Sequence, residues 1–119
     1  MCGNDDVATQ VIKALSTKKL AGTIKVVGQD ADLTACQHVV EGTQVMTVYK
    51  PVEKLAGKAA EETVKLIRGE DLETESTINN GTYDIAYFAI DPIAVYADNM
   101  DEVIIGGGFH AKEEVYLNL

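Results

Sequence analysis

Asp30 has the setting that most suggests chemistry in this sequence of 119 residues. It lies in Gly28-Gln29-Asp30-Ala31-Asp32, after the apolar, β-branched run Thr23-Ile24-Lys25-Val26-Val27. Behind it comes Leu33-Thr34-Ala35-Cys36-Gln37-His38-Val39-Val40, whose apolar positions 33, 36 and 40 fit one face of a helix. The first run reads as a buried strand. Asp30 is therefore expected in a tight loop at the carboxyl end of a strand, with Asp32 placed to cap the following helix. Ligands of open α/β sheets bind there, in the crevice beyond the strand ends. Met46-Thr47-Val48-Tyr49-Lys50-Pro51 answers this stretch and sets Lys50 at the end of a second strand. Taken singly, the residues also have plainer readings: Asn4 as a helix cap, Asp30 as a turn aspartate, Lys50 as a solvated surface lysine.

Other chemistries find little support. The sequence has no Gly-x-Ser-x-Gly, His-Glu-x-x-His or Cys-x-x-Cys, and Gly57-Lys58 runs into alanine inside a helix, so it is not a phosphate loop. Gly106-Gly107-Gly108 reads as a helix stop or hinge. His38 and His110 have no metal-ligand spacing around them, and His38 is expected on a helix surface. Cys2 and Cys36 are too few for a disulfide framework and read as buried or incidental thiols. The chain is expected to be no enzyme and to need no cofactor or metal.

The elements that must position Asp30 and Lys50 alternate between helix and strand. Asn4 or Asp5 can cap a helix from about Asp6 to Lys18, with Val7, Ala8, Val11, Ala14 and Leu15 as its apolar stripe. Strand 23–27 and helix 33–41 follow, Gly42 ends the helix, and 43–49 forms a second strand. Pro51 opens a long helix whose stripe, Val52, Leu55, Ala56, Ala59, Ala60, Val64 and Ile67, is expected to cover a sheet. Glu61 and Lys65 pair on its other side, and Arg68-Gly69 ends it. Glu70 to Ser76 is a polar connection, Asn80-Gly81 marks a tight turn, and Ile85 to Ile90 is a strand that Pro92 limits. Asp98 can cap a short helix from Asn99 to Ile105.

Apolar residues make up 46% and charged residues 24%, ordinary for a globular chain. Ten basic against nineteen acidic residues leave a formal charge of -9, which disfavours binding to nucleic acid or to an anionic membrane. No apolar run approaches the ~18 residues of a membrane span. Met1-Cys2-Gly3-Asn4-Asp5-Asp6 has neither the basic start nor the apolar core of a signal peptide. The inventory of strands is short for a doubly wound sheet. Either this is a very small α/β domain or it is the carboxyl-terminal piece of a larger protein.

Asn4-Asp5, Gly28-Gln29-Asp30-Ala31-Asp32, Gly42-Thr43-Gln44, Met46 to Pro51, Asn79-Asn80-Gly81 and Gly108-Phe109-His110 stand in the order and spacing of a known family. The whole chain resembles the last third of D-xylose-binding proteins, the sugar-binding subunits of ABC transporters, within the ribose- and galactose-binding group. The resemblance implies the type I periplasmic-binding-protein fold: α/β, three layers, a parallel sheet flanked by helices, here incomplete. It implies a two-lobed parent. Within this single unit of 1–119, residues 1–42 and about 91–119 would belong to the carboxyl-terminal lobe and about 43–82 to the amino-terminal lobe, with hinge crossings near 43–50 and 83–92. Asn4, Asp30 and Lys50 match family positions that look like sugar ligands, and the expected ligand is D-xylose or a related pentose. The implied partners are an ABC permease or a sensor protein, with the intact parent periplasmic or tethered outside the membrane. Two alternatives accompany this expectation: the effector-binding domain of a sugar-responsive repressor, and an assembly unit that binds no sugar and self-associates.

Overall fold

Asn4 begins the first helix as its position predicts. Its backbone is extended, and its Oδ1 accepts from the Val7 N–H at 3.0 Å, which starts α1 (Asp5–Thr17). The structure is a computed structural model that describes residues 1–72, 74 and 76–119; Glu73 and Glu75, in the expected polar connection, lie outside the described residues. The chain divides into two compact units, Met1–Lys50 with Pro92–Leu119, and Pro51–Asp91. The second strand is hydrogen-bonded within the first unit, so that unit runs to Lys50.

In the first unit, β1 (Val27–Gln29) pairs in parallel with β2 (Met46–Tyr49), and β5 (Ile93–Val95) pairs antiparallel with the other edge of β2. The expected parallel arrangement therefore holds for β1 and β2, and β5 is an addition to it. Pro92 lies just ahead of β5, at the start of an edge strand where its missing N–H costs no ladder bond. The expected strand 23–27 is displaced: β1 shares only Val27 with it and ends at Gln29, since the Thr23 and Ile24 N–H groups both turn back to the Leu20 carbonyl. α2 (Leu33–Glu41) follows β1 with the predicted bounds, and Gly42 ends it at φ 83°, a left-handed conformation that glycine adopts without strain.

Alternation along the strands sets the faces. Gly28, Thr47 and Tyr49 are buried beneath the helices, while Val27, Gln29, Met46 and Val48 are half-buried on the other face. Ala31, Cys36, Val39, Tyr49, Val95, Met100, Ile104 and Val115 form the main core, and Ala8, Ile12 and Val26 a smaller one. On α1 the buried side is Asp5, Ala8 and Ile12, with Val7 and Val11 exposed, so the inward face is rotated from the stripe read in the sequence. The expected Asp98-capped helix is replaced by a wide turn at Asp101–Ile105, closed by the Gly106 N–H on the Asp101 carbonyl at 2.8 Å. Asn99, not Asp98, fastens its approach, accepting from the Tyr96 N–H and donating to the Ala94 carbonyl. α4 (Lys112–Val115) is tied to α2 by the Gln37 amide, which donates to the Glu114 carbonyl at 2.8 Å.

In the second unit, α3 (Val52–Arg68) has the predicted ends, with Pro51 before it and Gly69 in the left-handed conformation after it. Lys58 and Lys65 both reach Glu62, at 2.7 and 3.0 Å, and Lys65 also pairs with Glu61 at 3.0 Å as expected. β3 (Ser76–Asn79) and β4 (Asp84–Tyr87) form a hairpin around Asn80-Gly81, so the strand expected from Ile85 ends at Tyr87 and not at Ile90. The Asn80 carboxamide accepts from the Thr82 and Tyr83 N–H groups, the local bonding that makes asparagine a turn residue. The apolar stripe of α3 is not covered. Val52, Leu55, Val64 and Ile67 are exposed, and Glu62 is the helix's buried residue among those described.

Candidate functional site

Asp30 and Lys50 meet. The Lys50 ammonium lies 2.7 Å from Asp30 Oδ1, at the carboxyl ends of the two parallel strands, with both side chains partly open to solvent. Each follows its own strand by one residue, and β1–β2 pairing carries the two ends side by side. An ion pair this exposed contributes at most ~1 kcal/mol to stability. Its consequence is orientation: it holds a carboxylate, which accepts O–H protons, beside an ammonium, which donates N–H protons.

The loop carrying Asp30 is held against its own preferences. Asp30 has φ 108° and Ala31 φ 55°, in the region that L residues disfavour, at a cost of about 1–3 kcal/mol each. Successive amides are fixed. The Asp30 N–H donates to the Val48 carbonyl at 2.8 Å, the Ala31 N–H to Thr47 Oγ1 at 3.1 Å, and the Asp32 N–H to Asp5 Oδ2 at 3.1 Å. Asp5 is the hub beneath. Its Oδ2 also accepts from the Thr47 hydroxyl at 2.7 Å, and its Oδ1 from the Gln44 amide at 3.0 Å. A buried carboxylate is tolerable when hydrogen bonds replace its water, as these three donors do. Gly28 makes room for it, since a Cβ at that position would run into Asp5 Oδ1 and lie 3.0 Å from the Gln44 amide nitrogen.

Asn4, the third expected ligand, stands one residue before this hub. Its carbonyl oxygen serves the α1 cap, and its amide nitrogen makes no hydrogen bond among the described residues. Asp32 does not cap α2 with its side chain: the helix starts without a side-chain bond, and what Asp32 contributes is its backbone N–H, donated to Asp5. Burial, then repulsion from Asp5, Asp6 and Asp30, raises the Asp32 carboxyl above its ordinary value, with His110 opposing. Cys36 is buried, and desolvation followed by the charges of Asp5 and Asp32 pushes its thiol up to about 12. A thiol held protonated is no nucleophile at neutral pH. No group of three metal-ligating side chains is present among the described residues, and no helix described is long and apolar enough to cross a membrane.

A strand-end loop offering an acceptor and a donor, fixed from beneath by a buried acid, suits a neutral solute with many hydroxyls. Residues 1–71 match the family model of the periplasmic binding protein domain. The chain belongs to that family. Over 98% of its length it is 46% identical to a D-xylose-binding periplasmic protein of Haemophilus influenzae, and over 97% it is 40% identical to the D-xylose-binding periplasmic protein of Escherichia coli. It spans 35% of the length of each. Its fold superposes with a TM-score of 0.82, at 29% identity, on a carbohydrate-transporter solute-binding protein of Chloroflexus aurantiacus in complex with D-glucose, covering 94% of this chain and 33% of that one. These relatives are binding proteins, not enzymes.

The sequence brought out Asp30 and Lys50 and missed what supports them. Asp5 read as a cap residue beside Asn4, and Gln44 and Thr47 as ordinary strand positions. The available signal was a polar residue at each of two inward positions around β2, where an apolar side chain is expected.

Proposed function

We propose that this chain supplies the carboxyl-terminal part of a solute-binding protein that takes D-xylose, or a related pentose, between two lobes for uptake by an ABC transporter or for sensing. The observation that carries the reading is the Asp30–Lys50 pair on a strained, fully fixed loop at the strand ends. The names of the relatives supply the sugar class. A pyranose presents hydroxyls that both donate and accept. Asp30 takes hydroxyl protons, Lys50 donates, and the Asn4 amide can do both, a complementary set. In the intact protein, sugar shifts the open–closed equilibrium because the closed form alone makes all the contacts. The permease or sensor then reads the closed form, outside the cytoplasmic membrane. We place the hinge crossings at Lys50–Pro51 and Asp91–Pro92, with the first unit in the carboxyl-terminal lobe and the second in the amino-terminal lobe. The repressor alternative is not favoured, since the matching relatives are periplasmic sugar-binding proteins.

Calorimetric titration of the 119-residue chain with D-xylose, beside Asp30→Ala, tests the ligand set. The expected result is saturable heat, with affinity reduced more than about tenfold in the variant, as fits loss of hydrogen bonds to a charged group. Heat unchanged by the substitution removes Asp30 from the site. The exposed stripe of α3 favours one second reading, an assembly unit that self-associates without binding sugar. Absence of heat, with sedimentation that depends on protein concentration, would select it.

A further inference from the structure

His110 holds the Asp30 loop from the side that Asp5 and Thr47 leave free. Its Nε2 lies 2.8 Å from the carbonyl oxygen of Ala31, 79 residues earlier in the chain. A carbonyl only accepts, so Nε2 carries the proton and donates. The imidazole lies against the Phe109 ring at 4.5 Å between centroids, and Phe109 lies 4.8 Å from Tyr49. Tyr49 precedes Lys50, Lys50 pairs with Asp30, and Asp30 precedes Ala31. The contacts close a circuit around the ion pair.

Every other main-chain hydrogen bond of this loop described above is made by an N–H. On the carbonyl side of Ala31 the Cys36 thiol donates at 3.5 Å, but a thiol is a weak donor. His110 is thus the strong donor to that carbonyl among the described residues. Ala31, at φ 55°, is pinned at its N–H by Thr47 and at its carbonyl by His110. Asp30 is caught between the pinned Ala31 and the bond from its own N–H to Val48. We infer that His110 is a positioning residue for the Asp30 carboxylate, an assignment that rests on the sugar-site reading. It acts through the Ala31 peptide and need not touch the sugar.

Two variants of the 119-residue chain test this. His110→Phe keeps an aromatic ring and removes the donor; His110→Gln supplies an amide N–H at similar reach. Nitrogen-15 NMR reads the His110 tautomer and the Asp30 and Ala31 amides, and titration reads affinity for D-xylose. The expected wild-type ring has its proton on Nε2. His110→Phe should shift both amides and weaken D-xylose by about 3- to 10-fold, the value of one hydrogen bond, while His110→Gln restores both. A neutral ring protonated on Nδ1 would overturn the assignment. So would a Phe variant with wild-type amides and affinity, or a Gln variant that melts like wild type without restoring them. A wild-type chain that gives no heat with D-xylose refutes the sugar-site reading instead, and the tautomer and amide shifts then decide the His110 bond by themselves.

Discussion

Asp32 bears the cost of gathering acids at one strand end. Burial and its neighbours Asp5, Asp6 and Asp30 raise its carboxyl, so the folded chain holds this proton more tightly than the unfolded chain does. A group raised on folding contributes stability that is fully present below its ordinary value of 3.8 and is lost as pH rises through the raised value. Asp32→Asn should therefore raise the melting temperature at pH 7 and leave it unchanged near pH 3. The side chain makes no capping bond for the amide to lose. It is largely exposed, so the gain should stay below about 1 kcal/mol. Melting curves at the two pH values check this, and an equal effect at both would mean that charge is not the cause. At this scale the sequence showed what is local. Lys50 follows a strand whose end at Tyr49 its run marks, while the run before Asp30 set the strand end at Val27 where β1 ends at Gln29. The Asp5 hub joins residues 27, 39 and 42 positions apart, and His110 meets Ala31 across 79, so only the tertiary fold brings them together.

Helices were the most legible elements, because capping residues and glycine stops bound them locally: Asn4 for α1, Gly42 for α2, Pro51 and Gly69 for α3. The short β5 and the wide turn at Asp101–Ile105 were not, since each is defined by partners elsewhere and not by its own periodicity. α3 separates the two kinds of information. Its 3.6-residue stripe gave the element correctly and its burial wrongly, because periodicity says which face is apolar and not whether anything covers it. Ile67 is 80% exposed, whereas Ile104 in the core is 0% exposed. Ile67→Lys should then change the stability of this chain by less than about 0.5 kcal/mol. Ile104→Ala should cost about 2–5 kcal/mol through lost burial and the cavity left behind. Urea unfolding of both variants distinguishes them, and a large loss at Ile67 would show that the helix face is packed in solution.

The two buried clusters consist entirely of residues from Met1–Lys50 and Pro92–Leu119. The Asp30–Lys50 pair, the Asp5 hub and the His110 bond also belong to that unit. Its two chain segments are joined by β2 and β5, where Tyr49 stands opposite Ile93. Lys50 leaves β2 and Pro92 enters β5 at that end of the pair, so extending the register by one residue gives two ends that a two-residue Asn-Gly hairpin loop can join. Replacing residues 51–91 by such a loop should leave a chain that still folds cooperatively, because burial drives folding and the core stays intact. A single sigmoidal melt with dispersed amide resonances is the expected outcome, with the Ala31 and Asp32 amides near their positions in the full chain. A broad, non-cooperative melt would show that the first unit draws its stability from residues 51–91. The strand-end site would then depend on a segment that contributes none of its hydrogen bonds among the described residues.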